Sequence, residues 1–299
     1  MTPGVTPGNT PAPTPGLTDP TFERRFGGLR RLYGEADWQH LCSLRVAVVG
    51  LGGVGSWAVE ALARSGVASL VLIDFDHVAE SNINRQVQAL ESTLGQAKGE
   101  ALRARIAEIH PGCAVHVVDE FATPQNWPAL LPCEVDAVID ACDQVSAKVA
   151  LAAWALQQGV PLVVAGAAGG KLAPHAVQVA DLAEATHDPL LASLRQRLRK
   201  FHGAAAHGRG PIGVRVVYSR EAVLRPPEQA CLPDAPPTQG ETADDTLRPS
   251  PLACAGYGSS VMVTATFGMV AASEAVQAAL RRLRKAATAS PAPPAASTL

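Results

Sequence analysis

Residues 45–56 read RVAVVGLGGVGS. The β-prone run Arg45–Val49 leads straight into Gly50-Leu-Gly-Gly-Val-Gly55, and an apolar, alanine-rich segment over about 56–65 reads as a helix. Glycines in such a turn let the backbone approach a phosphate, and free N–H groups at the helix start point at the anion. A second strand, Leu70–Ile73, ends at Asp74, 19 residues beyond Gly55. A carboxylate there accepts hydrogen bonds from ribose hydroxyls. This unit specifies an adenosine nucleotide without saying which one, and taken alone it favours a nicotinamide cofactor.

Working outward, strand and helix signals alternate. A helix covers about 95–109, with strands at Val115–Val118, Val135–Ile139 and Leu162–Ala165 and a helix over 145–158. The pattern predicts an α/β fold: a Rossmann-like, doubly wound, mostly parallel sheet with helices on both faces. Short C-terminal strands follow at Val177–Ala180 and Val214–Tyr218, then a long apolar helix inside 252–285. Ligands bind at the carboxyl ends of such strands. Gly50–Gly55, Asp74, Asp140 and Gly166 all fall there, so one cleft collects them.

The 299 residues are 47% hydrophobic and 17% charged, enough apolar material for a substantial core. Residues 1–20 carry six prolines and read as a disordered tail, not a secretory signal. Residues 21–285 are expected to form a single domain, interrupted by a Pro-rich mobile insertion over 226–251, with a second disordered tail at 286–299. The formal net charge of −2 means that any nucleic acid must be held by a local patch. The six cysteines form no CxxC pair, which excludes a paired-CxxC zinc site and a dithiol redox motif and suits buried thiols of a reducing, cytoplasmic compartment. Tyr257–Leu280 begins with 17 uncharged residues, but Glu274 interrupts it. A buried helix is the favoured reading over peripheral membrane contact.

Residues 81–86, SNINRQ, and Lys98 change the reading of the nucleotide. A dinucleotide has one pyrophosphate to neutralise. Arg85 and Lys98 add two cations, and Ser81, Asn82 and Asn84 add neutral hydrogen-bonding groups. That set suits a triphosphate. Asp76 and Gln86 stand beside them and complete the candidate nucleotide-binding set of Gly50, Gly52, Gly53, Gly55, Asp74, Asp76, Ser81, Asn82, Asn84, Arg85, Gln86, Lys98 and Asp143. Asp143, just past the fourth strand, is placed to hold Mg²⁺ on the phosphates of ATP.

GLGGVGS at 50–56, Asp74, SNINRQ at 81–86, GQAK at 95–98 and DACDQ at 140–144 resemble the adenylating superfamily related to ubiquitin activation, which includes thiamine- and molybdopterin-pathway members. The resemblance implies that the loop and Asp74 bind adenosine, that Ser81, Asn82, Arg85 and Lys98 bind ATP phosphates, and that Asp143 binds Mg²⁺. The implied chemistry is adenylation of a carboxylate. RFGGLRRLYG at 25–34, GAAGGKLAP at 166–174, THDPL at 186–190 and CAGYG at 254–258 with MVTATFG at 262–268 are similar to the tRNA threonylcarbamoyladenosine dehydratase branch. That branch implies ATP-dependent cyclisation on tRNA, with loss of water, by a homodimer. The pathway relatives often carry a phosphate-reaching Arg where Gly28 stands; Arg25, Arg30 or Arg31 could substitute for it.

Four further expectations follow. Cys254 is either a nucleophile, with Arg85, Lys98 and Asp143 in the catalytic set, or a small buried residue at a helix start. Gly166–Gly170 either packs tightly, approaches the acyl-adenylate or binds a monovalent cation (Na⁺ or K⁺) through carbonyls. The basic helix with Arg195, Arg197, Arg199 and Lys200 either complements its own dipole or contacts tRNA. The alternative function is activation of a ubiquitin-like or sulfur-carrier protein terminus, with a cysteine-desulfurase or sulfur-acceptor partner.

Overall fold

The computed structural model describes residues 20–224 and 257–289, with side chains to 286. Cys254, the 226–251 insertion and most of both tails lie outside them. Seven strands form one sheet: β1 (Arg45–Val49), β2 (Ser69–Ile73), β3 (Ala114–Val118), β4 (Ala137–Asp140), β5 (Leu162–Ala165), β6 (Val177–Asp181) and β7 (Arg215–Ser219). Their order is β3-β2-β1-β4-β5-β7-β6. All pairs are parallel except β6 with β7 at one edge. The chain winds outward from β1 in both directions, so a crevice opens above the carboxyl ends of β1 and β4.

Alternate residues of β1 show why both faces must be covered. Val46 and Val48 face one core with Leu62, Leu102 and Phe267, while Ala47 and Val49 face another with Leu151, Leu194 and Leu198. Helices α3 (Gly55–Arg64), α4 (Lys98–Ile109) and α7 (Val261–Ala289) supply the first core, and α5 (Val145–Gln158) and α6 (Pro189–Phe201) the second. Two N-terminal helices, α1 (Pro20–Tyr33) and α2 (Glu35–Leu41), join the first core through Phe22, Phe26 and Trp38. The RFGG segment therefore lies within α1. Helix α4 starts at Lys98, later than expected, because Gly95 adopts a φ of 78° in the preceding turn. Asp188 caps α6 as expected: its carboxylate accepts from the Leu191 N–H at 3.0 Å.

The long apolar helix is α7, the one helix among the described residues long and apolar enough to cross a membrane. Its buried stripe, Val263, Phe267, Ala271, Ala275 and Ala279, repeats every fourth residue and packs on α3. Gly268 makes the close approach possible. A Cβ there would lie 2.4 Å from the Val54 carbonyl and 2.9 Å from the Ala58 nitrogen, both backbone atoms that cannot swing aside. Gly268→Ala is expected to destabilise the protein by about 1–3 kcal/mol. Thermal melting should show a fall of about 2–4 °C for each kcal/mol. An unchanged midpoint would mean that the two helices pack less tightly than described.

Candidate nucleotide-binding active site

A cavity of about 370 Å³ occupies the crevice. Its walls come mainly from the loops after β1, β2, β3, β4 and β5. The glycine loop is shaped by one close contact: a Cβ on Gly55 would lie 1.8 Å from the Gly50 carbonyl oxygen. Asp74 holds the same loop from the side. Its carboxylate accepts from the Leu51 N–H at 2.6 Å and from the Asp76 N–H at 2.8 Å. Lys98 Nζ lies 2.7 Å from Asp76 Oδ2 and 3.9 Å from Asp74 Oδ1. Burial pushes the Asp74 carboxyl above its ordinary value, while Lys98 and the two backbone N–H groups pull the other way. The positions that sequence spacing singled out on three separate segments thus converge on one cation–carboxylate cluster.

Arg85 lies across the glycine loop, its stem 3.2 Å from where a Cβ of Gly53 would sit. Its backbone carbonyl accepts from Trp57 Nε1 at 2.9 Å. Its guanidinium donates to the Asn84 Oδ1 at 3.0 Å and to the Ser81 carbonyl. Gly50, Gly52, Gly53, Asp74, Asp76, Arg85, Gln86, Lys98 and Asp143 all line the cavity. Gly55, Ser81, Asn82 and Asn84 do not. Asn82 Oδ1 caps its own turn by accepting from the Ala79 N–H at 3.1 Å, and Asn84 Nδ2 donates to the Ser259 carbonyl at 3.0 Å. These short polar side chains hold the segment that carries Arg85.

The two aspartates of DACD separate. Asp140 is fully buried and pairs with Lys148 Nζ at 3.1 Å. Asp143 is exposed on the cavity wall and makes no hydrogen bond or ion pair among the described residues. Among those residues no cluster of three or more His, Cys, Asp or Glu could cage a metal alone. One open carboxylate beside room for phosphates is nonetheless a donor set that suits Mg²⁺. The four described cysteines are free thiols, and burial pushes Cys42 and Cys113 up to about 12, which keeps them unreactive.

Known proteins resemble this chain over most of its length. A model described as "ThiF family" matches residues 27–294. The chain belongs to the ThiF family. This ThiF-family chain is 44% identical over 259 residues to the tRNA threonylcarbamoyladenosine dehydratase of Escherichia coli K12, covering 86% of this chain and 93% of that protein. The protein of the same name from Bacillus subtilis 168 is 39% identical over 191 residues, 64% of this chain and 72% of that one. A solved structure of the E. coli dehydratase in complex with ATP is 41% identical, with a TM-score of 0.75, covering 91% of this chain and 98% of that one.

Several residues of the ThiF-family chain escaped sequence reasoning. Glu120 and Phe121 line the cavity from an irregular turn with no motif around it, and Leu190 and Thr264 line it from within the THDPL and MVTATFG segments, which read as branch signatures and not as site residues. Lys148 carried no motif either. Of the three candidate N-terminal arginines, Arg25 donates to the Ile109 carbonyl at 2.7 Å and Arg30 pairs with Glu23 at 2.9 Å. Arg31 is exposed, and none of the three lines the cavity. On α6, Arg195 donates to the Leu182 and Ala185 carbonyls at 3.0 and 2.8 Å, and Arg199 to the Ala205 carbonyl at 2.9 Å. Two of its four cations therefore fasten the surrounding chain, which leaves Arg197 and Lys200 on the surface.

Proposed function

We propose that this chain is an ATP-dependent tRNA threonylcarbamoyladenosine dehydratase. The observation that carries the reading is the cavity that gathers the glycine loop, Asp74, Lys98, Arg85 and Asp143, in a chain whose relatives over nearly their whole length bear that name. The threonyl carboxylate of threonylcarbamoyladenosine at tRNA position 37 attacks the α-phosphorus of ATP, and pyrophosphate leaves. The threonylcarbamoyl amide system then closes onto the acyl carbon, and AMP departs with the carboxylate oxygen. The net change in the nucleoside is loss of water.

Each cavity residue has a part in that sequence. Backbone N–H groups of the Gly50–Gly55 loop hold phosphate, and Asp74 accepts from the ribose hydroxyls. Arg85 and Lys98 offset charge on the phosphates. Asp143 would hold Mg²⁺, which when bound neutralises phosphate oxygens and favours the leaving group. The Gly166–Gly170 backbone, part of which lines the cavity, is placed to approach the acyl group or a Na⁺ or K⁺ ion. A homodimer is part of the proposal, and exposed apolar side chains such as Met262 and Met269 on α7 are candidates for its interface. The proposed place of work is the cytoplasm, with tRNA as the partner and the exposed Arg197 and Lys200 as candidate contacts.

The alternative, activation of a protein carboxyl terminus, shares the adenylation half. The E. coli molybdopterin-synthase adenylyltransferase is 40% identical over 119 residues, but that covers 40% of this chain and 47% of that protein. Mass spectrometry of nucleosides decides between them. Purified protein with Mg·ATP and tRNA carrying threonylcarbamoyladenosine is expected to yield the nucleoside lighter by one water. No mass change with ATP still bound would turn the assignment toward a protein carboxylate.

A further inference from the structure

Lys148 is sealed inside this fold; it and Asp140 are both 0% exposed. Burying an ammonium is unfavourable unless it is paired and fully bonded. Its Nζ lies 3.1 Å from Asp140 Oδ1 and 2.9 Å from the Ala165 carbonyl. Asp140 is the last residue of β4 and Ala165 the last of β5, and these strands are parallel neighbours. The loops leaving them, through Asp143 on one side and Gly166–Gly169 on the other, form facing parts of the cavity wall. One ammonium on α5 therefore ties together the two strand ends from which both loops depart.

The pair also reaches into the Asp143 loop, while Asp188 holds the other. Asp140 Oδ1 accepts from the Cys142 N–H at 3.2 Å and from the Cys142 thiol at 2.9 Å, one residue before Asp143. On the other loop, Asp188 Oδ2 accepts from the Ala167 N–H at 2.8 Å. Neither Lys148 nor Asp140 lines the cavity. Two apolar side chains of similar volume would fill the same space without desolvating charge, and such replacements are often neutral for stability. Directed bonds add what packing does not: a fixed angle between the loops.

We propose that Asp140 and Lys148 are positioning residues, whose buried ion pair sets the Asp143 loop against the Gly166–Gly169 loop for acyl transfer. This rests on the functional reading above. Lys148→Met alone leaves a buried carboxylate without its cation and is expected to fold poorly. The paired variant Asp140→Asn/Lys148→Met removes both charges and is the decisive protein. Thermal midpoint, kcat, KM for ATP and the dissociation constant of ATP by calorimetry are measured on it and on wild type. The expected result is a midpoint near wild type, an ATP dissociation constant within about threefold, and kcat lower by about tenfold or more with KM for ATP little changed. Recovery of kcat together with the midpoint would reduce the pair to a structural role and overturn the proposal. So would a raised KM at wild-type kcat. If the double variant does not fold, Asp140→Asn alone keeps a neutral acceptor for Lys148 and carries the same two outcomes. Wild-type enzyme that forms no dehydrated nucleoside overturns the functional reading and this proposal together; wild-type product with full kcat in the variant overturns this proposal alone.

Discussion

Asp143→Ala is expected to lower nucleoside dehydration by about a hundredfold or more, with almost no effect on folding. The asymmetry follows from its surroundings. Asp143 is exposed on the cavity wall and makes no hydrogen bond or ion pair among the described residues. Truncating such a side chain changes stability by about 0.5 kcal/mol at most, so the thermal midpoint should stay within about 2 °C. Activity is another matter, because this is the one exposed carboxylate on the β4 loop beside the glycine turn. Its proposed task, holding Mg²⁺ on the phosphates, has no substitute in Asp140, whose carboxylate is sealed against Lys148. Rates of product formation at saturating ATP, read beside a melting curve, check both halves. A variant that keeps wild-type turnover would remove Asp143 from the mechanism.

Gly55→Ala is expected to weaken ATP binding by about tenfold or more and to destabilise the fold by about 1–3 kcal/mol. The new Cβ would meet the Gly50 carbonyl at 1.8 Å, so the loop must open. Gly50 cannot yield easily: its φ is 86°, and a Cβ there would lie 2.8 Å from the Cys142 nitrogen. Opening the loop would turn away the N–H groups proposed to hold the phosphates. Gly52→Ala separates the two effects. That position lines the cavity, and a Cβ on it meets nothing within 4 Å. It should cost affinity without stability, because the methyl would meet no protein atom and would enter the cavity proposed for the phosphates. Calorimetric ATP titrations and thermal melts of both variants test this. Wild-type affinity in Gly55→Ala would show that the loop does not cradle the nucleotide.

Much of the nucleotide site was legible in the chain because its parts are local. A strand, a glycine turn and a helix start follow one another within 45–64, and Asp74 ends the next strand by the same periodicity. The Asp188–Pro189 helix start was readable for the same reason: a cap acts within one turn. Other features resisted such reading. The α6 arginines look like a nucleic-acid stripe, yet Arg195 and Arg199 donate to carbonyls at Leu182, Ala185 and Ala205. Nothing in their spacing announces those acceptors. Asn82 and Asn84, expected to bond phosphate, also hold the turn around Arg85 through their side chains, a task their spacing does not announce.

The amino-acid sequence by itself determined the parallel sheet, the strand–glycine turn–helix unit and the cations proposed to favour a triphosphate over a dinucleotide, because each depends on periodicity or on residues close along the chain. Only the tertiary structure decided that Asp140 is sealed against Lys148, which arginines are spent on backbone carbonyls, and that Lys148 joins the ends of β4 and β5. Those outcomes depend on burial and on partners between 6 and 84 residues away in sequence, contacts that leave no repeating pattern to read.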